Sequence, residues 1–200
     1  MAIDTKSFVC LTKSLDIIND GFKRLAPVSI PPNHLRQVQH EILAKCYSTV
    51  VKPNINLLRK YATASDNVYG ELLPTLVDDI ISATNITSES LFLDLGSGVG
   101  HVVMQASLRT GCCSYGIEKA SNPSNLAEKS KSQLLIRSHM WGIAVGGEII
   151  LEQGDMTQSA QVASLIEQAD VVLVNNKCFL PQCSPLLNLN IGLLTFVISK

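Results

Sequence analysis

Aromatic residues make up only 5% of this 200-residue sequence, with one tryptophan, and no apolar run approaches the length of a bilayer-crossing helix. Runs such as Val171 to Val174 and Ile191 to Ile198 stop far short of that length, so no membrane association is expected. A secretory leader is not expected either, because Asp4, Lys6 and Lys13 interrupt the apolar residues between Met1 and Leu15. The six cysteines (Cys10, Cys46, Cys112, Cys113, Cys178 and Cys183) form no CxxC pair and no secreted-type framework, which points to reduced thiols of the cytosol or nucleus. His34, His40, His101 and His139 are scattered without HExxH or Cys/His ligand spacing, so no metal is expected. An excess of charge is missing too. Sixteen Lys and Arg stand against seventeen Asp and Glu, without a basic cluster, so any contact with DNA should be weak or supplied by another segment or partner.

What the sequence does have is aliphatic residues in a telling order. A hydrophobic fraction of 46% with few aromatics suits an α/β protein with one principal core, whose buried parallel strands consume Val, Ile and Leu. The pattern changes near residues 65 to 75. Upstream, Leu35, Val38, Ile42 and Cys46 recur at helical spacing after Pro31-Pro32-Asn33, and a second short helix is expected over Asn54 to Tyr61. These make a small helical subdomain, residues 1–65. Over residues 66–200, short apolar runs alternate with amphipathic ones. Helices are expected over Pro74 to Thr84, Val102 to Arg109, Asn122 to about Trp141 with Asn122 as N-cap, and Ser159 to Gln168. Strands are expected over Leu91 to Leu95, Ser114 to Glu118, Glu148 to Gln153 and Asp170 to Val174. Strict alternation of this kind means parallel βαβ units, with ligands bound outside the carboxyl ends of the strands.

The sharpest local signal is Asp94-Leu95-Gly96-Ser97-Gly98-Val99-Gly100, which places glycines where a strand turns into a helix, so that backbone can approach a ligand closely. In dinucleotide folds that spot receives a diphosphate. Asp94, two positions before the first glycine, would repel a diphosphate but attract the ammonium or sulfonium of S-adenosylmethionine, which is therefore favoured over NAD. The same turn also occurs with nothing bound. Glu118 strengthens the reading, because it ends the next strand about 20 residues beyond Gly96, where a carboxylate reaches ribose hydroxyls. Asp155 follows the third strand with Met156 beside it, on the adenine side of such a site, although a Gly-Asp pair also suits a plain turn. Asn175 and Asn176 close the fourth strand, where they would face the reacting end of the cofactor or simply form a turn.

Taken together, Val68-Tyr69-Gly70-Glu71-Leu72, Leu91 to Gly100, Tyr115-Gly116-Ile117-Glu118-Lys119 and Val174-Asn175-Asn176 resemble the disruptor-of-telomeric-silencing family of non-SET histone lysine methyltransferases. Val50-Val51-Lys52-Pro53 and Leu58-Arg59-Lys60-Tyr61 extend the likeness, which covers roughly residues 35 to 180. The resemblance implies a Rossmann-like class I S-adenosylmethionine-dependent methyltransferase sheet and methylation of a lysine on the nucleosome core surface of histone H3, hence a nuclear protein. It also implies roles. Tyr69 and Glu71 belong to a loop closing over the cofactor, Asp94, Gly96 and Gly98 to its aminoacid end, Glu118 to the ribose, and Asp155 and Met156 to the adenine. Asn175, with Tyr69, is implied at the reacting centre, and Phe179 in the wall of the lysine channel.

The sequence also departs from the family pattern. Met156 stands where an aromatic is commoner, and His101 where an amide is usual, which is expected to leave His101 as a solvent-facing helix residue. After Phe179 the likeness fades. Pro181 and Pro185 fall where the family has a regular helix, so the closing elements of the domain are expected to be incomplete or altered. A cofactor-binding chromatin module with impaired catalysis is therefore the competing expectation.

Overall fold

In the computed structural model, residues 31–58, 72–174 and 195–198 are described, together with Lys13. The chain divides into two compact units, Met1–Pro32 and Asn33–Lys200. The second contains a five-stranded sheet in the order β3-β2-β1-β4-β5, where β1 is Leu91–Leu95, β2 Cys113–Glu118, β3 Ile149–Gln153, β4 Val171–Val174 and β5 Thr195–Ile198. The first four strands are mutually parallel and β5 runs antiparallel against β4. The expected Rossmann-like parallel sheet is therefore present. Chain order reverses at β1, whose neighbours are β2 and β4, so a crevice opens where the carboxyl ends of β1 and β4 meet.

Five helices are described: α1 Pro32–Cys46, α2 Pro74–Thr84, α3 His101–Thr110, α4 Ser121–Met140 and α5 Ala160–Gln168. Side chains of β1 alternate between two cores, as the pleat demands. Phe92 packs with Val77 and Ile81 of α2 and Val102 and Ala106 of α3, whereas Leu93 and Leu95 pack with Tyr115, Val162 and Val174. Apolar side chains thus cover both faces, which is why these strands read as continuous apolar runs. The segment after α1 is a single π turn, Tyr47–Val51, followed by a 3-10 turn, Lys52–Asn54. It brings Val50, Val51 and Leu58 against Val99 and Leu126, so the upstream helical segment backs the glycine loop.

Two elements differ from expectation. Helix α4 begins at Ser121 with Ala120 as its N-cap, so Asn122 is not the cap. No side chain caps this helix; the Glu118 carboxylate instead accepts the N–H of Ala120 itself at 2.7 Å and fixes the chain where it enters the helix. Second, residues 195–198 add a strand to the sheet. Position 61, the expected end of the short second helix, lies outside the described residues, and helical backbone is described over 55–58.

Candidate functional site

The turn from β1 into α3 is built by three glycines with positive φ: Gly96 at 87°, Gly98 at 56° and Gly100 at 73°. Left-handed backbone at alternate positions favours glycine over any side-chain-bearing residue. Gly100 also lacks room, since a Cβ there would lie 3.0 Å from Leu151 and 3.3 Å from Ala127. The loop then folds back on β2. Gly96 N–H and Ser97 N–H both donate to the Ile117 carbonyl, at 2.9 and 3.0 Å, Gly98 N–H donates to Glu118 Oε2 at 3.0 Å, and Gly100 N–H to the Ser97 carbonyl at 2.8 Å. Those four donors are therefore engaged within the loop and with β2. In a diphosphate site they would point at the ligand.

Asp94 lies at the base of this loop on the central strand, buried to 3% exposure. Among the described residues, none donates a hydrogen bond to its carboxylate. Burial and, secondarily, the nearby Glu118 carboxylate push the Asp94 carboxyl up to about 7. An anion left buried without a donor is costly unless a cation joins it. Glu118, at the end of β2, stands beside it with Oε1 on Ala120 N–H and Oε2 on Gly98 N–H. Each carboxylate oxygen retains a second lone pair, so these bonds leave acceptors for two hydroxyls.

Beyond β3, Asp155 forms a tight turn, accepting from Thr157 N–H at 2.9 Å and Thr157 Oγ1 at 2.7 Å, while Lys119 Nζ reaches its Oδ2 at 2.8 Å. Lys119, then the Thr157 bonds, hold the Asp155 carboxyl down at about 2. The ion pair ties the loop after β2 to the loop after β3. Met156 packs, partly buried, on the apolar cluster of Leu93, Tyr115 and Val162. Of the expected site residues, Asp94, Gly96, Gly98, Glu118, Asp155 and Met156 thus line the carboxyl edge of β1, β2 and β3. Tyr69, Glu71, Asn175 and Phe179 lie outside the described residues. One expectation for a neighbouring residue changes. Half-buried His101 has Nε2 3.2 Å from the Leu72 carbonyl, so it is not a solvent-facing helix residue. Tyr115, in the third motif, is core, its hydroxyl donating to Glu152.

The sequence reading missed Asp78. This carboxylate, 3% exposed on α2, gathers Arg36 Nε at 3.1 Å and His40 Nε2 at 2.9 Å from α1, and Arg109 Nε at 3.2 Å and Gln105 Nε2 at 2.9 Å from α3. The only signal was an Asp inside an apolar helical stripe, matched by basic residues four apart on another helix. Among the described residues, no group of His, Cys, Asp or Glu could hold a metal ion.

Residues 47–191 match the family described as "Histone methylation protein DOT1". The chain is 46% identical, over 72% of its length, to a protein of Chaetomium globosum called "Histone-lysine N-methyltransferase, H3 lysine-79 specific", and covers 28% of that protein. A protein of the same name from Gibberella zeae is 41% identical over 83% of this chain, which covers 34% of it. The chain thus spans about a third or less of the length of these relatives. Among solved structures, an RNA methyltransferase from Salinibacter ruber in complex with S-adenosyl-L-homocysteine aligns at a TM-score of 0.45 and 22% identity, over 59% of this chain and 69% of the other.

Proposed function

The chain belongs to the DOT1 histone methylation family, and on that premise we propose that it binds S-adenosylmethionine at the carboxyl edge of β1, β2 and β3 and transfers the methyl group to a lysine on the nucleosome core surface of histone H3, within the nucleus. One observation carries the cofactor assignment. Asp94 is a buried carboxylate to which no described residue donates, beneath a loop whose N–H groups at Gly96, Ser97, Gly98 and Gly100 are already engaged. Such a site disfavours a diphosphate and suits an ammonium. The lysine preference follows from the names of the relatives, which specify histone H3 lysine 79.

S-adenosylmethionine supplies a methyl group activated on a sulfonium. The protein's tasks are to hold it, align the lysine amine in line with it and exclude water. Asp94 would neutralise the ammonium, Glu118 would accept from the ribose hydroxyls through its remaining lone pairs, and the Asp155 turn with Met156 would border the adenine. Tyr69 and Glu71 would close over the cofactor, Asn175 would face the reacting centre, and Phe179 would wall the channel. A narrow apolar channel lowers the lysine pKa by desolvation, so no general base is assigned.

Calorimetric titration is expected to show binding of S-adenosylmethionine and none of NAD, and recombinant nucleosomes to acquire methyl groups at histone H3. Tighter binding of NAD would sink the assignment. A second reading, cofactor binding without turnover, is motivated by Pro181 and Pro185, which fall where a regular helix is expected after Phe179. Single-turnover incubation with nucleosomes separates the two readings, because the second gives bound cofactor and no transfer.

Replacing Glu118 by Ala is expected to weaken S-adenosylmethionine binding about tenfold, the worth of one charge-assisted hydrogen bond near the lower end of its range. The fold should survive, because the glycine loop keeps the bonds from Gly96 N–H and Ser97 N–H to the Ile117 carbonyl. If affinity held while the melting temperature dropped, Glu118 would be structural only.

A further inference from the structure

Helix α2 follows directly on the Val68–Leu72 motif, and α3 directly on the glycine loop. The joint between these two helices therefore bears directly on the glycine loop. Gln105, buried on α3, joins them with one amide group. Its Nε2 donates to the Pro74 carbonyl at 2.7 Å and to Asp78 Oδ1 at 2.9 Å, so both points lie in the first turns of α2. One turn earlier on α3, His101 Nε2 is 3.2 Å from the Leu72 carbonyl, at the very end of the motif.

Helix α1 closes the arrangement from a third side. Arg36 and His40, four residues apart, meet Asp78 Oδ2, while Gln105 and Arg109, also four apart, meet Oδ1. Gln39 bridges α1 to α3 directly, donating to the Leu108 carbonyl at 2.7 Å and accepting from Arg109 Nη1 at 3.0 Å. A buried ionic cluster can usually be exchanged for apolar side chains without loss of stability. What apolar packing does not supply is a fixed mutual orientation, which the directional Gln105 bond to Oδ1 and the ion pairs on both oxygens give to three helices.

We infer that Asp78 is a positioning residue of the cofactor site, acting through Gln105 to hold the start of α2 against α3, the helix that the glycine loop enters. The inference rests on the reading of this site as one for S-adenosylmethionine. It assigns a binding consequence to residues that touch none of the proposed cofactor contacts.

The test is calorimetric titration of the full chain with S-adenosylmethionine, at a temperature well below every melting midpoint. Asp78→Asn is expected to weaken binding about tenfold, within the range by which distant residues modulate a site. Asp78→Glu, which keeps the carboxylate, is expected to restore most of that loss. Should Asp78→Asn fail to fold, Gln105→Met serves in its place, since it keeps the volume and removes only the two bonds to α2, with an expected loss of about threefold to tenfold. Leu134→Val, a core change on α4 outside the cluster, is expected to lower the melting temperature and leave affinity unaltered. Folded Gln105→Met binding as tightly as the parent, or affinity in the whole set following the melting temperature regardless of position, overturns the inference. A parent chain that does not bind S-adenosylmethionine overturns the proposed function first, and the two failures are thereby told apart.

Discussion

Asp94→Asn is expected to remove most of the affinity for S-adenosylmethionine while making the ligand-free protein more stable near neutral pH. Both effects follow from one carboxylate. Its folded pKa, about 7 against an ordinary 3.8, is raised chiefly by burial. For an acid with a raised folded pKa, stability is unaffected below the unfolded value. It then falls as pH rises from 3.8 towards 7, because the unfolded chain has released the proton and the folded one has not. Above 7 the penalty is constant, on the order of 4 kcal/mol for a shift of about three units. An asparagine never ionises, although its own amide, buried with incomplete partners, costs about 1–3 kcal/mol. A net gain of about 1–3 kcal/mol is therefore expected at about pH 7.5, vanishing or reversing at about pH 5. Thermal denaturation at those two pH values checks it. A variant less stable than the parent at the higher pH would mean that Asp94 has partners which compensate its charge.

The same carboxylate makes cofactor affinity depend on pH. Only the ionised form attracts an ammonium, so affinity should rise roughly twentyfold between about pH 5.5 and 7.5. Above about pH 8 it should decline as the cofactor's own amino group loses its proton. Asp94→Asn flattens the rising limb and, at about pH 7.5, binds on the order of a hundredfold more weakly. The opposition of the two effects is instructive. A charge that destabilises the empty protein is the charge that the ligand neutralises, so binding and stability are linked through one proton.

How far the sequence carried this reading depended on how local the physics was. Strands β1 to β4 were legible because burial on both faces leaves uninterrupted apolar runs, and the glycine loop because positive φ at Gly96, Gly98 and Gly100 admits few other residues. Helix α2 was legible to the residue, from Pro74 to Thr84. The start of α4 was not, since its N-cap Ala120 offers no capping side chain and is held by Glu118 from the preceding strand. Asp78 was invisible for the same reason. Arg36 and Arg109 lie far from it along the chain, and nothing in a helical pattern announces that three helices will converge on one carboxylate. The direction of β5 was equally hidden, because Thr195–Ile198 has the composition of a strand but pairs with β4 by tertiary choice alone. For Glu118, the type of residue suggested a ligand, and only the fold disclosed that it also fastens the glycine loop through Gly98.

The largest loss of stability is expected at a glycine outside the site. At Gly147 an added Cβ would lie 1.8 Å from the Cys112 carbonyl oxygen, 2.2 Å from its carbon and 2.6 Å from the Gly111 oxygen. Every one of these is backbone, so no side-chain rotation relieves the collision. Relief requires the start of β3 to part from the turn between α3 and β2. That movement would break the bond from Ser107 Oγ to the Gly147 carbonyl, 3.1 Å, and the first rung of the β2–β3 ladder, Ser114 N–H to the Glu148 carbonyl, 2.9 Å. Cys112 is fully buried and cannot yield. Steric overlap of backbone with loss of sheet pairing belongs to the class of changes worth more than about 4 kcal/mol, and for a domain of this size that lowers the melting temperature by roughly 10–15 °C. Gly142 provides the contrast, with φ at 67° and nothing within 4 Å of an added Cβ. Gly142→Ala should therefore cost only the left-handed strain of about 1–2 kcal/mol. Circular dichroism melts of Gly147→Ala and Gly142→Ala side by side give the comparison. Equal, small shifts for the two would show that β3 and the α3–β2 turn are not in backbone contact, and the docking of β3 onto the sheet would have to be redrawn.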